Sequence, residues 1–185
     1  MFEKYEVEIK VLREGRYLGE ILKLDGKNSK DIITIAFAQL LAGLLHGTNE
    51  LDKKSYPIRH HFGTSHFFVG NTTYTITNNS YYEGLVYIGT GQGTPSIYDN
   101  WFFGEVWGDL IDVYQVLIEN NRIIVSLSGD VRISEEHDYY ECGLVLRLLN
   151  TSGNIIYSLL IHDVFTQPLH LYVGDIVMIT YKFIM

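Results

Sequence analysis

Ile88-Gly89-Thr90-Gly91-Gln92-Gly93-Thr94-Pro95-Ser96-Ile97-Tyr98-Asp99 is the stretch on which the fold class turns. Read as a phosphate cradle, it belongs to an α/β nucleotide-binding fold. Read as a shaped crossover, it belongs between strands. A P-loop needs a lysine and then Ser or Thr after its last glycine, so that the ammonium reaches the phosphates, and no lysine follows Gly93 at a usable spacing. The dinucleotide fingerprint needs a glycine at a different offset and then an amphipathic helix, whereas the chain continues Asp99-Asn100-Trp101-Phe102-Phe103-Gly104. Gly89, Gly91 and Gly93 relax the backbone and Pro95 fixes φ at one point. The stretch is therefore expected to be a structural crossover between two aromatic, β-rich runs, Tyr81–Tyr87 and Trp101–Trp107.

The rest of the chain agrees with a β body. It has 185 residues, 46% hydrophobic and 14% aromatic, with 14 tyrosines and 9 phenylalanines, a composition that can bury a core and favours strands over helices. A net charge of −8 argues against nucleic-acid binding, which needs cations to neutralise phosphates, and against docking on an anionic membrane. The single cysteine, Cys142, excludes an intrachain disulfide framework and reads as a small buried hydrophobe. The opening residues lack the pattern of a signal peptide, and the longest apolar run, 32–45, is shorter than the ~20 residues of a membrane span. No membrane insertion is expected.

Residues 5–12 alternate, with Tyr5, Val7, Ile9 and Val11 on one face and Glu6, Glu8 and Lys10 on the other, the pattern of a half-buried strand. Glu14-Gly15 turns it into a hairpin with Tyr17–Leu24. One helix is expected over 28–47, capped by Asn28 or Ser29 with Asp31 in its first turn. Its apolar residues, Ile35, Phe37 and Leu41 among them, cover most of its circumference, so it must be covered by its own sheet or by a neighbouring subunit. Residues 48–65, polar and without periodicity, read as a loop. Strands are expected over 67–77, 83–88, 102–106, 110–118, 123–127, 139–149, 155–161 and 175–184, with Asn120-Asn121 as a two-residue hairpin turn. The last strand is apolar on both sides apart from Thr180 and Lys182 and is expected to be central in its sheet or covered by a partner. Together these give an all-β single domain over 1–185: a jelly-roll-like β-sandwich of about eight or more antiparallel strands with one apolar helix near its N-terminus. The divisions are a hairpin at 1–27, the helix at 28–47, the loop at 48–65 and the main sandwich at 66–185.

Candidate chemistry is thin. His60, His61 and His66 form the one histidine cluster, with no third ligand or carboxylate partner assigned, so neither a metal nor another cofactor is expected. Asp109 with Asp112, and Glu135-Glu136 beside His137, are the best acidic pairs, but acid–base hydrolysis needs two carboxyls facing across a cleft. Ser126 and Ser128 lack the nucleophile-elbow pattern. No catalytic residue is assigned. Tyr82, Trp101 and Trp107 lie in the densest aromatic region and are the candidate surface for a glycan or receptor, because such rings serve sugar stacking and protein hot spots alike.

The order of segments resembles a family of small virion structural proteins of tailed phages and archaeal viruses. The matching motifs are the apolar helix ending in Ala42-Gly43-Leu44-Leu45, the loop Ile88-Gly89-Thr90-Gly91 with Pro95-Ser96 through Asp99, the step Glu141-Cys142-Gly143-Leu144, and Gly174-Asp175 before Thr180-Tyr181-Lys182-Phe183. The resemblance covers 28–185; it departs at Gln92-Gly93, which adds a glycine, and at Cys142, where a branched aliphatic is usual. It implies a non-enzymatic building block of a capsid, vertex, tail or fibre, made in a host cytoplasm and residing in the virion. Its partners would be copies of itself and other virion proteins, touching at the glycine loop (Gly89, Gly91, Gly93, Pro95) and the helix (Ile35, Phe37, Leu41). The alternative is a receptor- or carbohydrate-binding module on the particle surface.

Overall fold

The computed structural model describes residues 4–24, 29–33, 57–60, 65–67, 82–96, 99, 101–149 and 155–184. The strands among them are Lys4–Arg13 (β1), Arg16–Leu24 (β2), Ser29–Ile33 (β3), Pro57–His60 (β4), Ser65–Phe67 (β5), Tyr82–Gly89 (β6), Val106–Leu110 (β7), Val113–Glu119 (β8), Arg122–Arg132 (β9), His137–Leu149 (β10), Ile155–Leu171 (β11) and Ile176–Ile184 (β12). Every pairing is antiparallel. One sheet runs β2-β1-β12-β9-β8; the other runs β5-β4-β11-β10-β6-β7, with β3 also on β11.

The core lies between the two sheets and follows from alternation. Val7, Ile9 and Val11 of β1 are fully buried while Glu6, Glu8 and Lys10 face outward. Val177, Ile179 and Tyr181 of β12 join them, and Val86, Ile88, Cys142 and Leu144 meet them from the other sheet. Each such aliphatic side chain contributes about 1.5–3 kcal/mol on burial. β12 is central, with β1 on one side and β9 on the other, and its Val177, Ile179, Tyr181 and Phe183 are buried against the facing sheet. On the outer face of this sheet Glu8 lies between Lys10 and Lys182, at 2.6 Å from each ammonium, and their hydrogen bonds hold its carboxyl below the usual range.

Two hairpin turns have the backbone that their residues predict. Glu14 and Gly15 adopt φ of 49° and 75°, and Asn120 and Asn121 adopt 50° and 62°, the left-handed geometry of a type I′ turn that matches strand twist. A longer construction runs through β9 to β12. β9 pairs with β12 in one sheet, and β10 pairs with β11 in the other. The two pairs form one ribbon that crosses between the sheets at residues 133–136 and 172–175. Ile133 N donates to the Asp175 carbonyl at 2.8 Å and Gly174 N to the Ile133 carbonyl at 2.9 Å, so the ribbon stays paired at the corner. Gly174, at φ 93°, supplies the left-handed residue that the corner needs.

Arg13 pins β1 to that corner. Its Nε and Nη2 donate to the two oxygens of Asp175 at 2.9 and 2.7 Å, and its guanidinium lies 4.4 Å from the centroid of the Tyr172 ring. The Arg13 hydrogen bonds hold the buried Asp175 carboxyl below the usual range against the opposing effect of burial.

The chain departs from its sequence pattern in several places. Ser29–Ile33 is a strand on β11, paired from Ser29↔Phe165 to Ile33↔Ile161, rather than the first turn of a helix; β-branched Ile32 and Ile33 suit that pairing. The remainder of the expected helix, 34–47, with Ile35, Phe37 and Leu41, lies outside the described residues. Within the expected loop at 48–65, residues 57–60 form β4 and Ser65 begins β5. Residues 101–105 are not a strand, and the expected strand at 110–118 is broken at Ile111-Asp112 between β7 and β8. Of the expected strand at 67–77, only Phe67 is described.

Asp175→Asn leaves the Arg13 guanidinium without its charged acceptor and is expected to cost about 2 kcal/mol. A urea titration read by tryptophan fluorescence checks this: the midpoint falls while the slope is unchanged.

Candidate functional site

The glycine stretch leaves β6 and folds over the outer face of the β10–β11 pair. Alternation sets this up. Cys142 and Asp163 are paired across the two strands and face the inter-sheet core, so Glu141, Gly143 and His162 face the other way. Under the loop a second apolar cluster gathers Leu85, Phe102, Val145 and Leu159, with Tyr87, Trp101, Val106 and Tyr157 packed around it. Gly143 makes room for it: a Cβ there would lie 2.5 Å from the Phe102 ring.

At the centre is the fully buried carboxylate of Glu141. Its Oε1 accepts from Gly91 N at 2.9 Å and Gly104 N at 3.0 Å. Its Oε2 accepts from Phe103 N at 3.0 Å and lies 2.9 Å from His162 Nε2. The other ring nitrogen, Nδ1 of His162, lies 2.7 Å from Asp99 Oδ2, which also accepts from Ser96 N at 2.9 Å. Phe102 and Phe103 stand against the imidazole, with centroids 5.4 and 4.8 Å away. Burial pushes the Glu141 carboxyl up, but the His162 hydrogen bond and the N–H groups of Phe103 and Gly104 outweigh it, and its pKa is lowered.

A carboxylate–imidazole–carboxylate chain can orient a general base. Here both ring nitrogens are engaged by carboxylates and the ring is wholly buried, so neither nitrogen is presented to a substrate. The arrangement holds the loop: Asp99, Gly91, Phe103 and Gly104 are drawn onto β10 and β11 by one charged network.

This places the glycine loop residues. Gly91 is needed for close approach, since a Cβ would lie 2.3 Å from Gly104 N and 2.4 Å from Glu141 Oε1. Gly93 faces the Phe103 ring, 2.4 Å from where its Cβ would be. Gly89 ends β6 opposite Glu141, and Pro95 is buried. The described non-strained φ values here mean that room, more than backbone freedom, is what these glycines supply.

Trp101 and Trp107 pack in different clusters. Trp101 packs edge-on against Tyr87, Phe102 and Tyr157. Trp107 packs against Tyr139 and His137, and its indole N–H donates to Ser134 Oγ at 2.7 Å. Tyr82 begins β6. Burial pushes the Tyr139 hydroxyl up to about 12, so it stays protonated and donates to the Glu135 carbonyl at 2.9 Å.

Of the histidine cluster, His60 and His66 fall on the adjacent strands β4 and β5, and His61 lies outside the described residues. Asp109 and Asp112 are exposed and, after burial itself, raise the pKa of nearby Asp130. Glu135, Glu136 and His137 are exposed at the ribbon corner. Ser128 Oγ lies 2.8 Å from Thr180 Oγ1, bridging β9 and β12.

A second buried polar group sits directly behind the first. Asp163 accepts from Tyr5 Oη at 2.8 Å and from Tyr181 Oη at 3.0 Å, with the Cys142 sulfur 3.5 Å from the same Tyr181 oxygen. Burial raises the Tyr181 hydroxyl well above its ordinary pKa, so it remains a donor. Sequence reasoning did not assign His162 or Asp163, although adjacent polar residues inside an apolar strand are a signal for partnered burial.

No family model, curated protein or solved structure matches the chain.

Glu141→Gln would turn an amide nitrogen toward at least one N–H donor whichever way it is flipped, and is expected to cost about 3 kcal/mol. Because the folded carboxyl titrates below its unfolded value, its stabilisation is present above that value and is lost as pH falls below about 4 through the folded pKa. Urea midpoints measured from neutral pH to about pH 3 should therefore fall less steeply for E141Q than for the wild type.

Proposed function

We propose that the protein is a structural building block that works by associating with copies of itself and with other proteins of a particle, like the virion proteins whose motifs it resembles. The observation that carries this reading is that the two outermost strands of the five-stranded sheet among the described residues, β2 and β8, expose large apolar side chains. Tyr17 and Leu18 on β2 are 64% and 50% exposed, and Tyr114 and Ile118 on β8 are 78% and 79% exposed. Apolar surface of this kind marks sites of association.

Two features support the reading further. The folded-over ribbon of β9 to β12 is the local construction of a jelly roll, and we assign the sandwich to that arrangement. The loop over β10 and β11 is tied down by charged hydrogen bonds, which favours a subunit of fixed shape, as a symmetric assembly requires.

Light scattering of the purified chain, with negative-stain images of the peak, tests the proposal. A discrete multimer is expected, and a five-fold ring would place the protein at a vertex or in a tail. A monomer at every concentration overturns the reading and directs attention to Trp101 and Trp107 on a glycan array.

A further inference from the structure

β8 is an edge strand among the described residues, paired with β9 alone. Its register is unbroken from Val113↔Ser128 to Glu119↔Arg122. The type I′ turn at Asn120-Asn121 makes Glu119 and Arg122 a hydrogen-bonded pair, and such pairs alternate along an antiparallel ladder. Leu117, Gln115 and Val113 therefore bond to β9 as well. The N–H and C=O groups of Tyr114, Val116 and Ile118 point the other way, toward the open edge.

Those three residues also carry exposed apolar side chains, Val116 at 56% between Tyr114 and Ile118. Natural edges are blunted by lysine, proline, an inward charge or a bulge. Val113–Glu119 has none of these, and its one charge, Glu119, sits at its end.

We infer that β8 pairs with β8 of a second copy, antiparallel about a two-fold axis through Val116. The inference deepens the assembly reading above and rests on its premise that the chain self-associates. In this register Tyr114 lies opposite the partner's Ile118, Val116 opposite the partner's Val116, and Ile118 opposite the partner's Tyr114. All three outward-facing residues then pair with one another, making about six backbone hydrogen bonds beneath a continuous apolar row. Shifting the axis by one residue sets Tyr114 opposite Asn120 or Ile118 opposite Asp112. The centred register also brings no like charges together, because Glu119 falls opposite Val113. A strand that is complementary to its own reverse fits a second copy of this chain better than an unrelated strand, and an isologous two-fold contact is the form such a match takes.

The test compares the full-length wild type with three full-length variants by sedimentation velocity, with far-UV circular dichroism as a folding control. Both outer side chains are exposed, so substitution leaves the β8–β9 ladder in place. In Y114K/I118K, like charges face each other at both outer pairs, and the wild-type dimer, or any larger species built from it, should fall to half its mass or less. In Y114K/I118E, opposite charges face each other in the proposed register, and the dimer should persist at low salt. Val116→Pro removes a donor that points away from β9 and should give the same loss as the double lysine variant. A wild-type multimer that Y114K/I118K and Val116→Pro leave intact overturns the edge pairing while the assembly reading stands. Loss of the dimer in both charge variants overturns the register centred on Val116. A monomeric wild type overturns both readings.

Discussion

A single carboxylate, that of Glu141, governs the geometry of the glycine loop. It is removed from water altogether, which is costly for a charge unless every lone pair finds a donor. Three loop amides and one imidazole nitrogen meet that demand. The requirement runs in both directions. The loop is held because the carboxylate needs donors, and the carboxylate stays ionised because the loop supplies them. Phe102 and Phe103 then exclude water from the network, and the low local dielectric strengthens each of its hydrogen bonds.

The same strand pair carries a second polar group on its opposite face. His162 and Asp163 are adjacent in sequence, yet one reaches the loop and the other reaches Tyr5 and Tyr181 in the inter-sheet core. The two networks are separated by the thickness of one sheet. Each fixes a different relationship: His162 sets the loop on the sheet, and Asp163 ties β11 to β1 and β12 of the facing sheet. Polar groups buried on both faces specify how the layers sit where apolar packing alone tolerates sliding.

Much of the architecture was legible in the sequence because it is local. The alternation of Val7, Ile9 and Val11 and the turn at Asn120-Asn121 each depend on near neighbours. The all-β class follows from such patterns; the apolar character of β12 left a central position and cover by a partner as alternatives, and the pairing with β1 and β9 decides between them. Ser29 to Ile33 illustrates the opposite case. Ser29 and Asp31 resemble a helix start, but the strand that these residues form depends on pairing with Phe165 to Ile161, which no local pattern encodes. The site was harder still. Glu141 and His162 meet diagonally across a hairpin, and Asp99 arrives from 63 residues before His162. The loop glycines stood out in the sequence, but as sources of backbone freedom; that they make room for a carboxylate requires knowing which strand lies beneath them.

The placement of β12 between β1 and β9 has a consequence for the order in which the protein folds. β10, β11, β6 and β7 can pair as soon as residues 82–171 are available: β6 with β7 and β10 with β11 are close in sequence, and β6 reaches β10 across a longer stretch, from Gly89↔Glu141 to Tyr82↔Leu148. The opposite sheet has β1 and β2 at one side and β8 and β9 at the other, and among the described strands only β12, residues 176–184, joins them. Val7 then meets Tyr181 across the whole intervening chain, a contact of very high order, and such contacts slow folding because loop closure precedes any gain from them. Until that strand docks, the inner faces of β1 and β9 are open to solvent and to other chains. On a ribosome, the interval before the last strand emerges is the one in which the protein is most exposed to misassembly.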